Sequence, residues 1–120
     1  MPERNSHEWH GEDDLNEFFR RVCGLISAGE VRISEHGYDE LAEDGLTARE
    51  LLAGILESVI VEEYPDYPKG PCVLLLQKDR RGNPVHVVWG IPNGYDKPVV
   101  LVTAYRPDPE RWDEDFLRRR

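Results

Sequence analysis

The side chains most capable of chemistry lie in two apolar stretches in the second half of the chain. His86 lies in the first stretch, while Thr103, Tyr105 and Arg106 lie in or just after the second. An imidazole can take the proton of an RNA 2′-hydroxyl, and a phenol can return a proton to the leaving oxygen. Cations can stabilise the charge that develops at phosphorus. This combination of groups would cleave RNA without a metal.

The alternation of side chains along a β-strand predicts which of these groups share a surface. His86 falls on the opposite side of the stretch 84–91 from its aliphatic neighbours, and Thr103 and Tyr105 share one side of the stretch 99–105. If the small aliphatic residues face the helices, these three polar residues share the open face of the sheet. We expect nearby cations to join them there: Lys78, Arg80, Arg81 and Arg106.

A second imidazole, His36, stands at the start of a predicted helix that Ser34 can cap, and it is placed to approach the same surface. Each candidate also has a simpler interpretation, because a strand histidine or tyrosine is more often a packed residue with a satisfied hydrogen bond. The sequence contains no phosphate-binding glycine loop, nucleophile elbow or zinc-ligand spacing. We therefore predict no cofactor and no metal site.

The first half of the chain is predicted to be helical. Apolar residues recur at helical spacing over residues 13–26, and a second helix is predicted over 36–44. A third helix begins at a capping box formed by Thr47 and Glu50. Residues 1–12 show no apolar periodicity, so we expect a mobile arm there.

The second half is predicted to form four strands joined by short turns, at residues 59–64, 72–78, 84–91 and 99–105. Residues 31–34 read as either a further strand or an extended link, and the tail from residue 108 onward as a short helix. The expected fold is α+β, with two to three N-terminal helices on a four-stranded antiparallel meander. Residues 13–120 would form this single domain.

The net charge of −9 argues against a simple nucleic-acid binder, because phosphate contacts need cations. The charge is uneven, however: residues 31–66 carry two basic and ten acidic side chains, whereas residues 67–120 carry ten basic and seven acidic ones. This distribution leaves room for an anionic partner on the sheet side, and it also fits solvated helix faces. The sequence has no signal-peptide pattern, no membrane-length apolar run and only two isolated cysteines, so we expect a cytoplasmic protein.

A series of short motifs makes the chain resemble a small bacterial and archaeal family catalogued as a domain of unknown function. The motifs are Ile33 to His36, Gly45 to Thr47, Val61 to Asp66, Pro84 to Val88 and Val102 to Asp108. That family is grouped with RelE, MqsR and barnase-like toxin ribonucleases, and is often encoded beside zinc-finger antitoxins of the YgiT/MqsA type. The resemblance implies that five residues occupy family motif positions: His36, His86, Thr103, Tyr105 and Arg106.

Two functions are therefore predicted. The first is a toxin-like, metal-independent endoribonuclease of a toxin–antitoxin module, with RNA as substrate and a zinc-finger antitoxin as partner. Its catalytic candidates are His86, Tyr105 and His36, and its RNA- and phosphate-binding candidates are Arg106, Arg80, Arg81, Lys78 and Thr103. The second is a non-catalytic protein-binding or regulatory module that uses the same sheet face, which the acidic charge favours. Neither function involves a membrane, and the sequence makes no prediction of the oligomeric state.

Overall fold

A computed structural model describes the chain from His10 to Arg120, with side chains from Glu17 onward. The helices are α1 (His10–Ser27), α2 (Glu35–Glu43) and α3 (Ala48–Ala53), followed by a 3₁₀ turn at Ile55–Glu57. The strands are β1 (Val31–Ile33), β2 (Val59–Tyr64), β3 (Cys72–Lys78), β4 (Pro84–Gly90) and β5 (Val99–Tyr105). Most of the predicted N-terminal arm lies outside the described residues, and α1 already begins three residues before Asp13.

The helix starts follow from their capping residues. Ser34 accepts a hydrogen bond from the amide of Gly37 at 2.9 Å and so begins α2. Its hydroxyl also donates to the carbonyl of Val102 at 2.9 Å, which fixes the start of α2 against β5. The predicted capping box of α3 is present, with Thr47 accepting from the Glu50 amide and the Glu50 carboxylate accepting from the Thr47 amide.

The sheet has five strands in the order β1-β5-β4-β3-β2, and it is mixed rather than purely antiparallel. The predicted four-stranded meander is correct for β2 to β5 but incomplete, because β1 pairs with β5 in parallel. The Val99 amide donates to the carbonyl of Glu30, and the Ser34 amide donates to the carbonyl of Leu101. The link between α1 and α2 is thus held along the edge of the sheet, where its backbone groups find partners.

The predicted C-terminal helix does not form. The carboxylate of Asp113 accepts backbone hydrogen bonds from Asp115 and Leu117, which builds a turn in place of a helix. Phe116 adopts a left-handed backbone conformation with φ of 62°, and Trp112 faces Arg119 in an isolated antiparallel bridge. Residues 107–120 therefore form a folded-back segment, which we call the C-terminal strap.

The three helices pack on one face of the sheet, where the main core lies. Its buried members come from α1, α2, α3 and the inward positions of the strands, and include Val22, Leu41, Leu51, Leu75, Val87, Trp89 and Leu101. Buried Gln77 joins two layers, since its amide donates to the carbonyl of Leu51 at 2.8 Å and its carbonyl accepts from the Trp89 indole at 3.0 Å. The opposite face carries the chemically interesting residues, and we call it the outer face.

Candidate functional site

His86 and Tyr105 lie side by side on the outer face. The antiparallel register of β4 and β5 places the two residues directly opposite one another. Their neighbours Val87 and Ala104 point into the core beneath the helices. The Tyr105 hydroxyl lies 3.3 Å from Nδ1 of His86, within hydrogen-bonding distance. The sheet therefore brings an imidazole and a phenol together on the face opposite the helices.

The strap covers this pair, so His86 is not the solvent-facing group that the strand pattern suggested. Its side chain is fully buried, with Nε2 lying 2.8 Å from the carbonyl oxygen of Phe116. The carbonyl can only accept, so Nε2 carries the proton and Nδ1 accepts from Tyr105. The Trp112 ring packs edge to face against the imidazole, with the centres of the two rings 4.4 Å apart.

An ion pair beside His86 holds the other end of the strap. Arg119 donates to the two carboxylate oxygens of Glu62 at 3.1 and 3.2 Å, and its guanidinium lies 4.7 Å from the centre of the Trp112 ring. The Tyr64 hydroxyl donates to the same carboxylate. The hydrogen bond from Arg119 lowers the pKa of Glu62, whereas burial and the nearby carboxylate raise the pKa of Tyr64 to about 12. The sequence indicated neither Glu62 nor Arg119 as a site residue, because the two meet only where the strap folds back onto the sheet.

The environment of His86 disfavours its charged form. Burial lowers its pKa below the usual 6.5, and the charge of Arg119 adds to this effect, although the carbonyl of Phe116 and the carboxylate of Glu62 oppose it. Burial also raises the pKa of Tyr105. A neutral imidazole and a neutral phenol therefore hold the strap at neutral pH.

We expect the free energy of unfolding to fall as the pH drops below 6.5, because the unfolded chain then binds a proton at His86 that the folded chain excludes. The lowered pKa of Glu62 begins to act only below 4.5, so the loss that starts at 6.5 is the one assigned to His86. Urea denaturation across this range should show a smaller loss for His86→Gln than for the parent chain. An unchanged pH slope in His86→Gln would rule out this histidine as the source.

The predicted phosphate-binding arginines lie elsewhere, in a polar cleft of about 260 Å³ at the hairpin between β3 and β4. Arg106 donates to Asp79 at 3.0 Å and to the carbonyl of Asp44 at 3.2 Å. Arg80 and Arg81 line the same cleft, beside the carboxylates of Asp44, Glu50 and Asp79. These acids offset the cations, so the cleft does not offer an anion an excess of positive charge.

The remaining two predicted phosphate contacts are separated from this cleft. Lys78 is exposed at the end of β3, where it pairs with Pro84. Thr103 lies opposite Val88 on the outer face and is half-buried. Neither makes a hydrogen bond or ion pair with His86. Of the predicted catalytic and phosphate-binding residues, Tyr105 is the one that the structure places within hydrogen-bonding distance of this imidazole.

The other end of the outer face carries an open groove of about 520 Å³, within the size range of ligand sites. Its floor is formed by Cys72, Gly90, Val100 and Val102, and its rim includes Arg32, Ser34, His36, Tyr67 and Lys69. None of the described side chains that line it is a carboxylate, although the chain carries a net charge of −9. We call this site the outer-face groove.

Of the two histidines whose side chains the structure describes, His36 is the one that solvent can reach. Its side chain is 67% exposed, and Nε2 lies 3.8 Å from a carboxylate oxygen of Glu40 on the same helix. The bond from Ser34 to β5 places the first turn of α2, and hence His36, at the groove rim. Lys69 and Tyr67 come from the loop between β2 and β3, a proline-rich segment whose place beside α2 the sequence did not indicate.

No helix within residues 10–120 combines the length and apolar character needed to cross a membrane. No curated protein and no solved structure significantly matches the chain. A family model described as "Domain of unknown function (DUF4258)" matches residues 33–106, more than half of the chain, and carries no link to toxins or antitoxins. The match includes both His36 and His86 but leaves α1 and the strap outside. The chain thus belongs to the DUF4258 family, as the ordered motifs indicated for an uncharacterised domain.

Proposed function

We propose that this chain is a metal-independent endoribonuclease that binds RNA in the outer-face groove. The observation that carries the proposal is the lining of the groove, whose described side chains include Arg32, Lys69 and an exposed imidazole but no carboxylate. Local positive charge attracts a phosphodiester backbone even when the whole protein is acidic. The apolar floor and the half-exposed ring of Tyr67 offer a stacking surface for a base.

The proposed reaction is an internal transesterification. His36 removes the proton from a 2′-hydroxyl, and the 2′-oxygen then forms a bond to the adjacent phosphorus. Arg32 and Lys69 stabilise the added negative charge on the phosphorane. The bond from phosphorus to the 5′-oxygen breaks, and the Lys69 ammonium supplies the proton that this leaving oxygen takes up. The products are a 2′,3′-cyclic phosphate and a free 5′-hydroxyl.

The proposal is tested by incubating the purified protein with single-stranded RNA in the presence of EDTA and identifying the new ends. Lys69→Met should reduce the cleavage rate by about 10²- to 10³-fold, the cost of losing one donor to a developing anion. Lys97→Met is the matched control, because Lys97 is also exposed but pairs with Glu30 outside the groove. Equal rates for the two variants, or no cleavage by the parent chain, would contradict the proposal.

Lys69→Arg separates the two roles of this residue. Arginine keeps the positive charge but does not release a proton at accessible pH. If Lys69 only stabilises charge, Lys69→Arg should retain most of the activity. If it is also the general acid, Lys69→Arg should be nearly as slow as Lys69→Met.

A cellular role as the toxin of a toxin–antitoxin module follows as part of the same proposal. Expression of the parent chain should arrest growth, and expression of Lys69→Met should not. A zinc-finger protein encoded in the adjacent gene is the proposed antitoxin, and its co-expression should relieve the arrest. Harmless expression of a chain that cleaves RNA in vitro would remove the toxin role and leave the enzymatic one.

A protein-binding module is the second candidate, favoured by a specific observation. Part of the outer face already holds a segment of this chain, since the strap packs there through Trp112 and Arg119. A chain that binds a partner stably and leaves RNA intact would favour this candidate over the ribonuclease.

A further inference from the structure

The strap lies outside the part of the chain that the family model matches. The DUF4258 match ends at Arg106, and the strap begins at the following residue. Without the strap, His86, Tyr105 and Glu62 would form an exposed part of the outer face, next to the groove. The strap therefore shows what kind of segment this part of the sheet can hold.

Two groups of the sheet make the contacts that hold the strap. His86 donates to the backbone carbonyl of Phe116 and packs against the Trp112 ring. Glu62, with Tyr64 beside it, binds the guanidinium of Arg119. A backbone donor, an aromatic contact and a carboxylate for arginine are the elements of peptide recognition.

The strap keeps its own fold largely through contacts within itself. The carboxylate of Asp113 binds three strap amides, and Trp112 pairs with Arg119 across the turn. The amide of Arg120 donates to the carbonyl of Arg111 at 2.9 Å. Leaving the sheet would therefore break few hydrogen bonds among the described residues, namely those to His86 and to the Glu62–Tyr64 pair. Displacement would also uncover the Trp112 ring, which is 4% exposed, but it would leave the hydrogen bonds within the strap intact.

We infer that the strap occupies a peptide-docking site, and that a partner protein binds there by displacing it with a segment that carries an aromatic residue and, seven positions later, an arginine. This inference develops the protein-binding candidate and does not depend on RNA cleavage. Trp112 and Arg119 define the spacing. The carboxylate of Glu62 selects the cation, and the imidazole of His86 donates to a backbone carbonyl irrespective of side chain.

The experiment uses the full chain with a weakened strap. Arg119→Ala removes the ion pair to Glu62 and the contact with Trp112. Arg118→Ala removes the same charge from an exposed side chain that makes no hydrogen bond or ion pair with another described side chain. The probe is a fluorescein-labelled peptide of residues 107–120. Its affinity, followed by fluorescence anisotropy, should be at least about tenfold higher for Arg119→Ala than for the parent chain or Arg118→Ala, because the tethered strap competes less.

Changes in the probe test the proposed chemistry. Peptides with Trp112→Ala or Arg119→Ala should bind Arg119→Ala protein at least about tenfold more weakly, and a peptide with Arg118→Ala should bind as well as the parent peptide. Equal affinity of all these peptides would mean that they bind elsewhere by charge alone, and would overturn the inference.

Histidine modification reports the position of the strap directly. Diethyl pyrocarbonate should modify exposed His36 in every variant, which makes it an internal control, but His86 only when the strap is displaced. Saturating peptide should protect His86 again in Arg119→Ala. The inference fails if His86 remains protected in both Arg119→Ala and Glu62→Gln. It also fails if His86 becomes reactive in Arg119→Ala and the peptide does not protect it there. RNA cleavage by the same samples is measured separately. The absence of cleavage would contradict the proposed ribonuclease but not the docking site, and the absence of peptide binding would contradict the docking site but not the ribonuclease.

Discussion

Replacing His36 with alanine should lower the rate of RNA cleavage by about 10²- to 10⁴-fold, the contribution typical of a positioned general base. His36 is the described imidazole that lines the outer-face groove, whereas the ring of His86 is enclosed by the strap. Within the part of the chain whose side chains are described, the 2′-hydroxyl of bound RNA has no other imidazole in the groove to take its proton. Single-turnover cleavage of a short labelled RNA measures the effect on the chemical step.

Binding and stability measurements separate catalysis from simpler effects of this change. His36 is largely exposed, so His36→Ala should change the free energy of unfolding by less than about 0.5 kcal/mol. Its affinity for RNA should fall only a few-fold, because Arg32 and Lys69 remain to contact phosphate. Full activity in His36→Ala would remove the base from the proposed reaction.

That His86 and Tyr105 share the outer face was predictable in part, because side chains alternate along each strand. The register of β5 with β4 contains an irregularity, however, so Val99 and Leu101, which alternation puts on the side of Tyr105, lie in the core, whereas Val100 and Val102 line the outer-face groove. The burial of His86 was not predictable in the same way. It results from the strap, in which Trp112 and Phe116 have the spacing of a helix face while the Asp113 carboxylate favours turns.

The place of Arg106 shows a second limit of sequence reasoning. Its guanidinium pairs with Asp79, which is 27 positions away in the chain, and its backbone amide donates to Asp44, which is 62 positions away. A sequence shows that a side chain is charged but does not show which opposite charge will reach it. The same limit applies to the groove. Lys69 and His36 line it together because Cys72, Gly90 and Val100 from three neighbouring strands form the floor between them.

The parallel strand β1 illustrates a third limit. It has three residues, too few for alternation to distinguish a strand from an extended link. Its pairing with β5 is nevertheless important for the candidate site, because it brings Arg32 and the start of α2 to the edge of the outer face. The elements with long periodic patterns were therefore predictable, and the contacts that assemble the groove were not.

Gly70→Ala should destabilise the protein by about 3 kcal/mol and also reduce RNA cleavage, because this glycine holds the Lys69 loop against the sheet. Its φ of +137° is a backbone conformation that residues with side chains rarely adopt. A Cβ atom here would lie 2.2 Å from the carbonyl oxygen of Ile91 and 2.8 Å from the amide nitrogen of Asn93. Both are backbone atoms, so neither can move aside as a flexible side chain could.

The neighbouring hydrogen bonds explain why the clash should reach the groove. The Asn93 amide donates to the carbonyl of Lys69 at 3.0 Å, and the Asn93 side chain donates to the carbonyl of Pro68 at 2.7 Å. An alanine at position 70 would push these two segments apart and displace Lys69, which lines the groove.

Gly82→Ala is the matched control for this prediction. Gly82 also has a positive φ, of +86°, but an added Cβ would meet no atom within 4 Å. Gly82→Ala should therefore lower the free energy of unfolding by only about 1 kcal/mol, the cost of holding alanine at a positive φ, and should keep its RNA cleavage. Urea denaturation of the two variants measures the difference. Equal stabilities of Gly70→Ala and Gly82→Ala would show that the loop relaxes around the new methyl group. The position of Lys69 would then not depend on the tight packing of residues 68–70 against residues 91–93.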